Sequence, residues 1–161
     1  MTKSIVVDIA DLRVAADPEA ELVTYSLGSC IGLAIWDPQS RVGGLLHYML
    51  PDSSIARDRM SLNPAMFADT GIPLLFRTAY SRGAHKRRLV VKVAGGASMF
   101  PTDDRFDIGR QNYTALRKIF WRNNVLIQSE HVGGSISRTM RLQIGTGRVT
   151  IGNQRMKQVL I

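Results

Sequence analysis

Two mostly apolar runs, at residues 31–36 and 41–50, flank the tetrapeptide Asp-Pro-Gln-Ser at positions 37–40. That arrangement reads as a β-hairpin. Asp and Ser favour turn ends, and proline at the second turn position presets φ for a type I turn. If the loop is the four residues 37–40, Trp36 faces Arg41. Counting back along both strands then puts Cys30 directly opposite His47, with Cβ atoms about 4.5–5.5 Å apart. The two residues share a face with Gly32, Ala34, Leu45 and Gly43. That face is small and leaves room beside the thiol. Ile31, Leu33, Ile35, Val42 and Leu46 form the opposite side, which reads as the core side. A single bulge would shift this register and separate the pair.

The rest of the chain is mainly of strand type. Apolar, partly alternating runs lie at 5–14, 22–25, 88–94 and 125–129. Residues 141–151 read as a second hairpin turning at Gly145 to Gly147, and 156–161 as a last strand. Two segments have helical signals. One spans 70–81, with Gly83 as a stop and Pro73 tolerable only in the first turn. The other spans 108–123, where Tyr113, Leu116, Ile119 and Phe120 recur at helical spacing. Two helices that do not alternate strictly with many strands predict an α+β fold: a mixed β-sheet sandwich with flanking helices in one domain, residues 1–161. A chain of 161 residues can bury such a core without staples.

Global features narrow the function classes. Apolar residues make up 45% and charged residues 21%, ordinary values for a globular protein. No stretch reaches the length of a bilayer span, and the N-terminus turns acidic where a signal peptide needs an apolar run. The expected location is cytoplasmic. One cysteine forbids an internal disulfide and any multi-cysteine zinc site. His85 and His131 have no spacing to a second ligand, so no metal and no cofactor is expected. The net charge of +8 favours encounters with polyanions. The cations are scattered without a nucleic-acid-binding motif, which disfavours RNA or DNA as a partner.

The lone thiol is a small core residue, a surface accident or a nucleophile. A histidine beside it gives the third reading a chemistry. Protonated imidazole lowers a thiol pKa, and the same ring can later protonate a leaving group. Gly28 and Ser29 form a tight turn just before Cys30, whose N–H groups could face a developing oxyanion. Thr24, on the preceding strand, is either an ordinary β-branched strand residue or a hydroxyl that orients the imidazole or holds substrate. The Gly-rich segments at 94–100 and 132–137 lack a phosphate-loop ending and read as turns that allow close backbone approach.

Five blocks carry a resemblance: LGSC at 27–30, GGLLHYMLP at 43–51, VKVAGGASMF at 91–100, IGRQN at 108–112 and VGGSISR at 132–138. In this order and spacing they resemble the CheD family, the chemoreceptor glutamine deamidases of bacterial chemotaxis. The resemblance spans about 22–150. It implies a cysteine-hydrolase-like α+β sandwich that uses no metal, with Cys30 as nucleophile, His47 as general acid/base and Thr24 as the third site position. It implies methyl-accepting chemotaxis receptors as substrates, with glutamine converted to glutamate on their cytoplasmic helices. Methyl-ester hydrolysis and binding of the phosphatase CheC are further implied properties. One departure stands at His131, where the family pattern leads us to expect aspartate. Two other readings compete: a non-catalytic adaptor that binds receptor or CheC, and a cysteine hydrolase acting on another protein's glutamine.

Overall fold

A computed structural model describes residues 2–56, 58, 62–98 and 106–161. Ten strands and two helices are described: β1 (Lys3–Val6), β2 (Asp11–Ala15), β3 (Ala20–Leu27), β4 (Ile31–Trp36), β5 (Gly43–Tyr48), α1 (Ala68–Ser81), β6 (Val90–Gly95), α2 (Ile108–Arg122), β7 (Ser129–Val132), β8 (Arg138–Gln143), β9 (Val149–Gly152) and β10 (Val159–Leu160). They form two five-stranded mixed sheets, ordered β1-β3-β8-β9-β10 and β2-β5-β4-β6-β7. The β1–β3 and β6–β7 pairs are parallel and the rest antiparallel. The expected α+β sandwich with flanking helices is what the chain forms.

The central strands β4 and β5 are buried on both faces, and each face belongs to its own core. Ile31, Leu33, Ile35, Val42 and Leu46 pack with Leu75 and Phe76 of α1 and Leu116 and Phe120 of α2. Ala34 and Leu45 face the other sheet, against Leu22, Met140 and Leu142. Full burial of each of the larger of these side chains contributes about 1.5–3 kcal/mol. The small-residue face is therefore not open, as the sequence suggested. A Cβ on Gly32 would stand 2.8 Å from both Leu27 Cδ1 and Met140 Sδ, so the face is small because the second sheet lies on it.

The first expected strand divides in two. Ala10 adopts a left-handed φ of 58°, and the Asp8 N–H donates to the Asp11 carboxylate at 3.3 Å. This corner sends β1 and β2 to different sheets. Residues 125–128 precede the strand instead of forming it, and β7 begins at Ser129. The segment 86–88 is a 3₁₀ turn capped by His85, whose Nδ1 accepts from the Arg87 N–H at 3.3 Å. Helix α1 starts at Ala68, so Pro73 lies inside it, beyond the first turn. Helix α2 starts where expected because Asp107 accepts from the Arg110 N–H. The hairpin over β8 and β9 closes as predicted, through Gln143 N–H to Arg148 O at 2.9 Å. The last two residues of the block at 91–100, Met99 and Phe100, lie outside the described residues.

Candidate active site

The β4–β5 register corrects the expected pairing. Gly32, not Cys30, faces His47, and the first facing pair is Trp36 with Gly43. The reason is the loop. Asp37 N–H donates to Val42 O at 2.9 Å and Arg41 N–H to Asp37 O at 2.8 Å, while the Asp37 carboxylate accepts from the Gln39 and Ser40 N–H groups. Arg41 takes a left-handed φ of 56°. The connection thus holds six residues, not four. A shift of two positions preserves side-chain parity, so Cys30 and His47 remain on the same face, one step apart on the diagonal. Cys30 itself lies just beyond the end of β4.

Because the ladder no longer holds Cys30, other contacts do. Three consecutive carbonyls of the turn are each taken. Ala97 N–H donates to Gly28 O (2.8 Å), Asn112 Nδ2 to Ser29 O (2.9 Å), and Gly96 N–H to Cys30 O (2.8 Å). The approach of β6 is so close that a Cβ on Gly95 would meet Cys30 O at 2.2 Å, and Gly95 has a φ of 105°. Only glycine fits there. Among the described residues the Ser29 N–H donates to nothing. The three carbonyls of the turn are thus tethered from the loop that follows β6 and from α2.

His47 is fully buried on β5. Thr24 reaches it across the gap between the sheets: Thr24 Oγ1 lies 2.7 Å from His47 Nδ1 and 2.7 Å from Val7 O. A hydroxyl has one proton and a carbonyl can only accept. With that proton on Val7 O, His47 Nδ1 must carry hydrogen and donate to Thr24 Oγ1. The neutral ring then has a bare Nε2, and this atom is buried without a hydrogen-bond partner among the described residues. A bulge in β3 between Thr24 and Leu27, with Ser26 at a φ of 59°, sets the strand end beside the site. Bulges of this kind re-aim side chains at functional sites.

Burial acts on both members of the pair. Burial pulls the His47 pKa down to about 4, and burial pushes the Cys30 thiol up, against a smaller opposing effect of its own N–H. Burial thus favours thiol and neutral imidazole over thiolate and imidazolium. Desolvation disfavours both charged forms. Tyr48, next to His47, is also buried. Its hydroxyl donates to Asn112 O at 2.7 Å, and its ionisation is opposed first by burial and then by negative charge on Cys30.

The other two histidines hydrogen-bond within the fold. His85 caps the 3₁₀ turn. His131 Nδ1 accepts from Arg138 Nε at 2.8 Å, and Arg138 Nη2 donates to Gly133 O at 2.7 Å. Gly134 O in turn accepts from the Ser98 N–H. The second glycine-rich turn is therefore fastened beside the first, which holds Cys30. No cluster of three or more metal-ligating side chains occurs among the described residues. No helix among them is long and apolar enough to cross a membrane.

Thr24 bonds His47 directly, while Gly28, Ser29 and Cys30 form the turn that enters β4 one diagonal step from His47. Sequence reasoning missed Asn112. It lies on the buried stripe of α2 with Gly109, Leu116 and Phe120, and a polar residue on an apolar stripe is the signal that could have found it.

The family model described as "CheD chemotactic sensory transduction" matches residues 49–153. A protein of Solibacter usitatus is 52% identical over 159 residues, covering 99% of this chain and 94% of the relative. Proteins of Syntrophus aciditrophicus and Anaeromyxobacter dehalogenans are 54% and 51% identical, each covering 91% of this chain and 92% of the relative. All three relatives are named as probable chemoreceptor glutamine deamidases. With a model match over most of its length and relatives above half identity, this chain belongs to the CheD family.

Proposed function

We propose that residues 1–161 form one deamidase domain that converts glutamine side chains on the cytoplasmic helices of methyl-accepting chemotaxis receptors to glutamate. The observation that carries this reading is the bare, buried Nε2 of His47 on the same face as the half-buried Cys30 thiol, fixed by Thr24 on Nδ1. The names of the relatives supply the substrate class.

The mechanism is acyl transfer. His47 Nε2 takes the thiol proton as Cys30 Sγ bonds to the carboxamide carbon. The carbonyl π electrons move to oxygen, and the N–H groups of Ser29 and Cys30 hold that oxyanion. As the tetrahedral species collapses, the C–N bond breaks and His47 gives its proton to the departing nitrogen, releasing ammonia. Water then loses a proton to the same Nε2 and attacks the thioester. Cys30 leaves as thiolate and recovers the proton, and the product is glutamate. Because the resting pair is neutral, His47 acts first as a base, and the proton moves during attack. The same chemistry extends to receptor methyl esters, with methanol as the leaving group. Excess positive charge favours approach to acidic receptor helices, and added salt should slow encounter. CheC binding is carried by the family resemblance alone.

The test is mass spectrometry of receptor cytoplasmic fragments after incubation with wild type and with Cys30→Ala. The expected result is Gln-to-Glu conversion by wild type only. Conversion by both would assign the reaction to another nucleophile. Conversion by neither, with receptor binding retained, would favour an adaptor.

A further inference from the structure

In the free protein Cys30 and His47 are not bonded to each other, and Cys30 lies beyond the last β4–β5 pair. Something else must set their spacing. We infer that Asn112 is a positioning residue for this site: its side chain holds the cysteine turn and the segment after the histidine at a fixed separation. The inference rests on the proposed Cys30–His47 chemistry.

The geometry is specific. Asn112 is fully buried on the inner face of α2. Its single Nδ2 donates to Ser29 O at 2.9 Å and to Met49 O at 2.8 Å. Ser29 immediately precedes the thiol, and Met49 follows His47 by two residues. Its own main-chain oxygen accepts the Tyr48 hydroxyl. One residue therefore ties three points that bracket the reacting pair. Both N–H bonds are spent on carbonyls from different strand ends, while Asn112 Oδ1 is buried with no partner among the described residues. An amide used only to fill a helix face would not leave its oxygen unsatisfied, because that arrangement costs stability. Leucine would fill the volume and avoid the penalty. What leucine cannot do is bridge two carbonyls.

A residue acting through the spacing of Cys30 and His47 has a distinctive signature. Asn112→Leu should lower kcat for receptor-fragment deamidation about tenfold or more, with KM within about twofold. It should slow alkylation of Cys30 by iodoacetamide at pH 7 and give the pH profile of His47→Ala. Combined with His47→Ala, it should add little further loss, since the single effects share one route. Additive losses in the double variant, or wild-type kcat and alkylation in folded Asn112→Leu, overturn the inference. Should the variant not fold, the wild-type side-chain amide decides. Two slowly exchanging Asn112 Nδ2 protons in NMR support the bridge, and a freely exchanging pair sinks it. Alkylation needs no receptor, so a wild type that deamidates nothing rejects the deamidase reading while the positioning test still stands.

Discussion

The β4–β5 hairpin has two polar ends, and they are built on opposite rules. At the loop end, the Asp37 side chain is fully buried, and each of its oxygens is used. It accepts from the Gln39, Ser40 and His85 N–H groups and from Arg88 Nε at 3.0 Å, with Arg88 Nη2 at 2.8 Å. These partners hold its carboxyl well below the usual carboxylate range, against the opposing effect of burial. At the other end, His47 Nε2 and Asn112 Oδ1 are buried with no partner among the described residues, and the Cys30 thiol is desolvated. Buried polar groups are normally satisfied, and exceptions call for an explanation. The satisfied end shapes a loop. In the proposed mechanism, the unsatisfied end keeps a lone pair and a thiol available for chemistry.

The contrast can be broken at either end. Cys30→Ala gives the largest effect: deamidation falls at least ~10³-fold, while the thermal midpoint stays near wild type, because a half-buried thiol contributes little packing. Activity by mass spectrometry and melting by circular dichroism check both halves. Asp37→Ala does the reverse. It leaves Arg88 unpaired and three N–H groups without an acceptor, and should cost about 2–4 kcal/mol in urea unfolding. Deamidation per folded molecule should stay within about twofold.

The pH dependence of stability separates the two ends further. Asp37 has a depressed folded pKa. Its contribution is present above the unfolded carboxylate value near ~4 and is lost as pH falls below it. His47 also has a depressed folded pKa, but it is a base. Its unfolded form binds more protons between about 4 and ~6.5, so stability falls as pH drops through that window, by roughly 3 kcal/mol at most. His47→Gln should flatten the slope between pH 4 and 6.5 and leave the one below pH 4. Denaturant titrations across both windows test this; an unchanged slope in the variant would contradict a buried neutral imidazole. The smallest expected effect belongs to Thr24→Val, which leaves Val7 O and His47 Nδ1 without their shared partner. It should lower kcat about tenfold through the wrong tautomer or a freed ring, at about 1–2 kcal/mol in stability.

Much of the hairpin was legible because it is local. Strand β4 runs from Ile31 to Trp36 as its composition implies, and the side-chain parity that puts Cys30 and His47 on one face survived a wrong loop length. The error came from Asp37. Its carboxylate is recruited by Arg88, 51 residues away, and by the His85 N–H, and those bonds support the longer loop. Such long-range partners leave no periodic trace. The same holds for the second core, since small residues at Gly32 and Ala34 suit an open pocket as well as a packed sheet. Whether His47 rests charged was also beyond sequence, because that depends on burial from β3 and β8, which only the folded sandwich brings over β5.

The most direct test is acid quench of the reaction with receptor fragment in excess, followed by mass spectrometry of the peptide that contains Cys30. The account predicts a transient adduct on the Cys30 sulfur, a thioester of the receptor's glutamyl side chain. The adduct should be absent in Cys30→Ala and longer-lived in His47→Ala if any acyl enzyme forms there. Steady Gln-to-Glu conversion with no adduct on Cys30, persisting after Cys30→Ala, would contradict it.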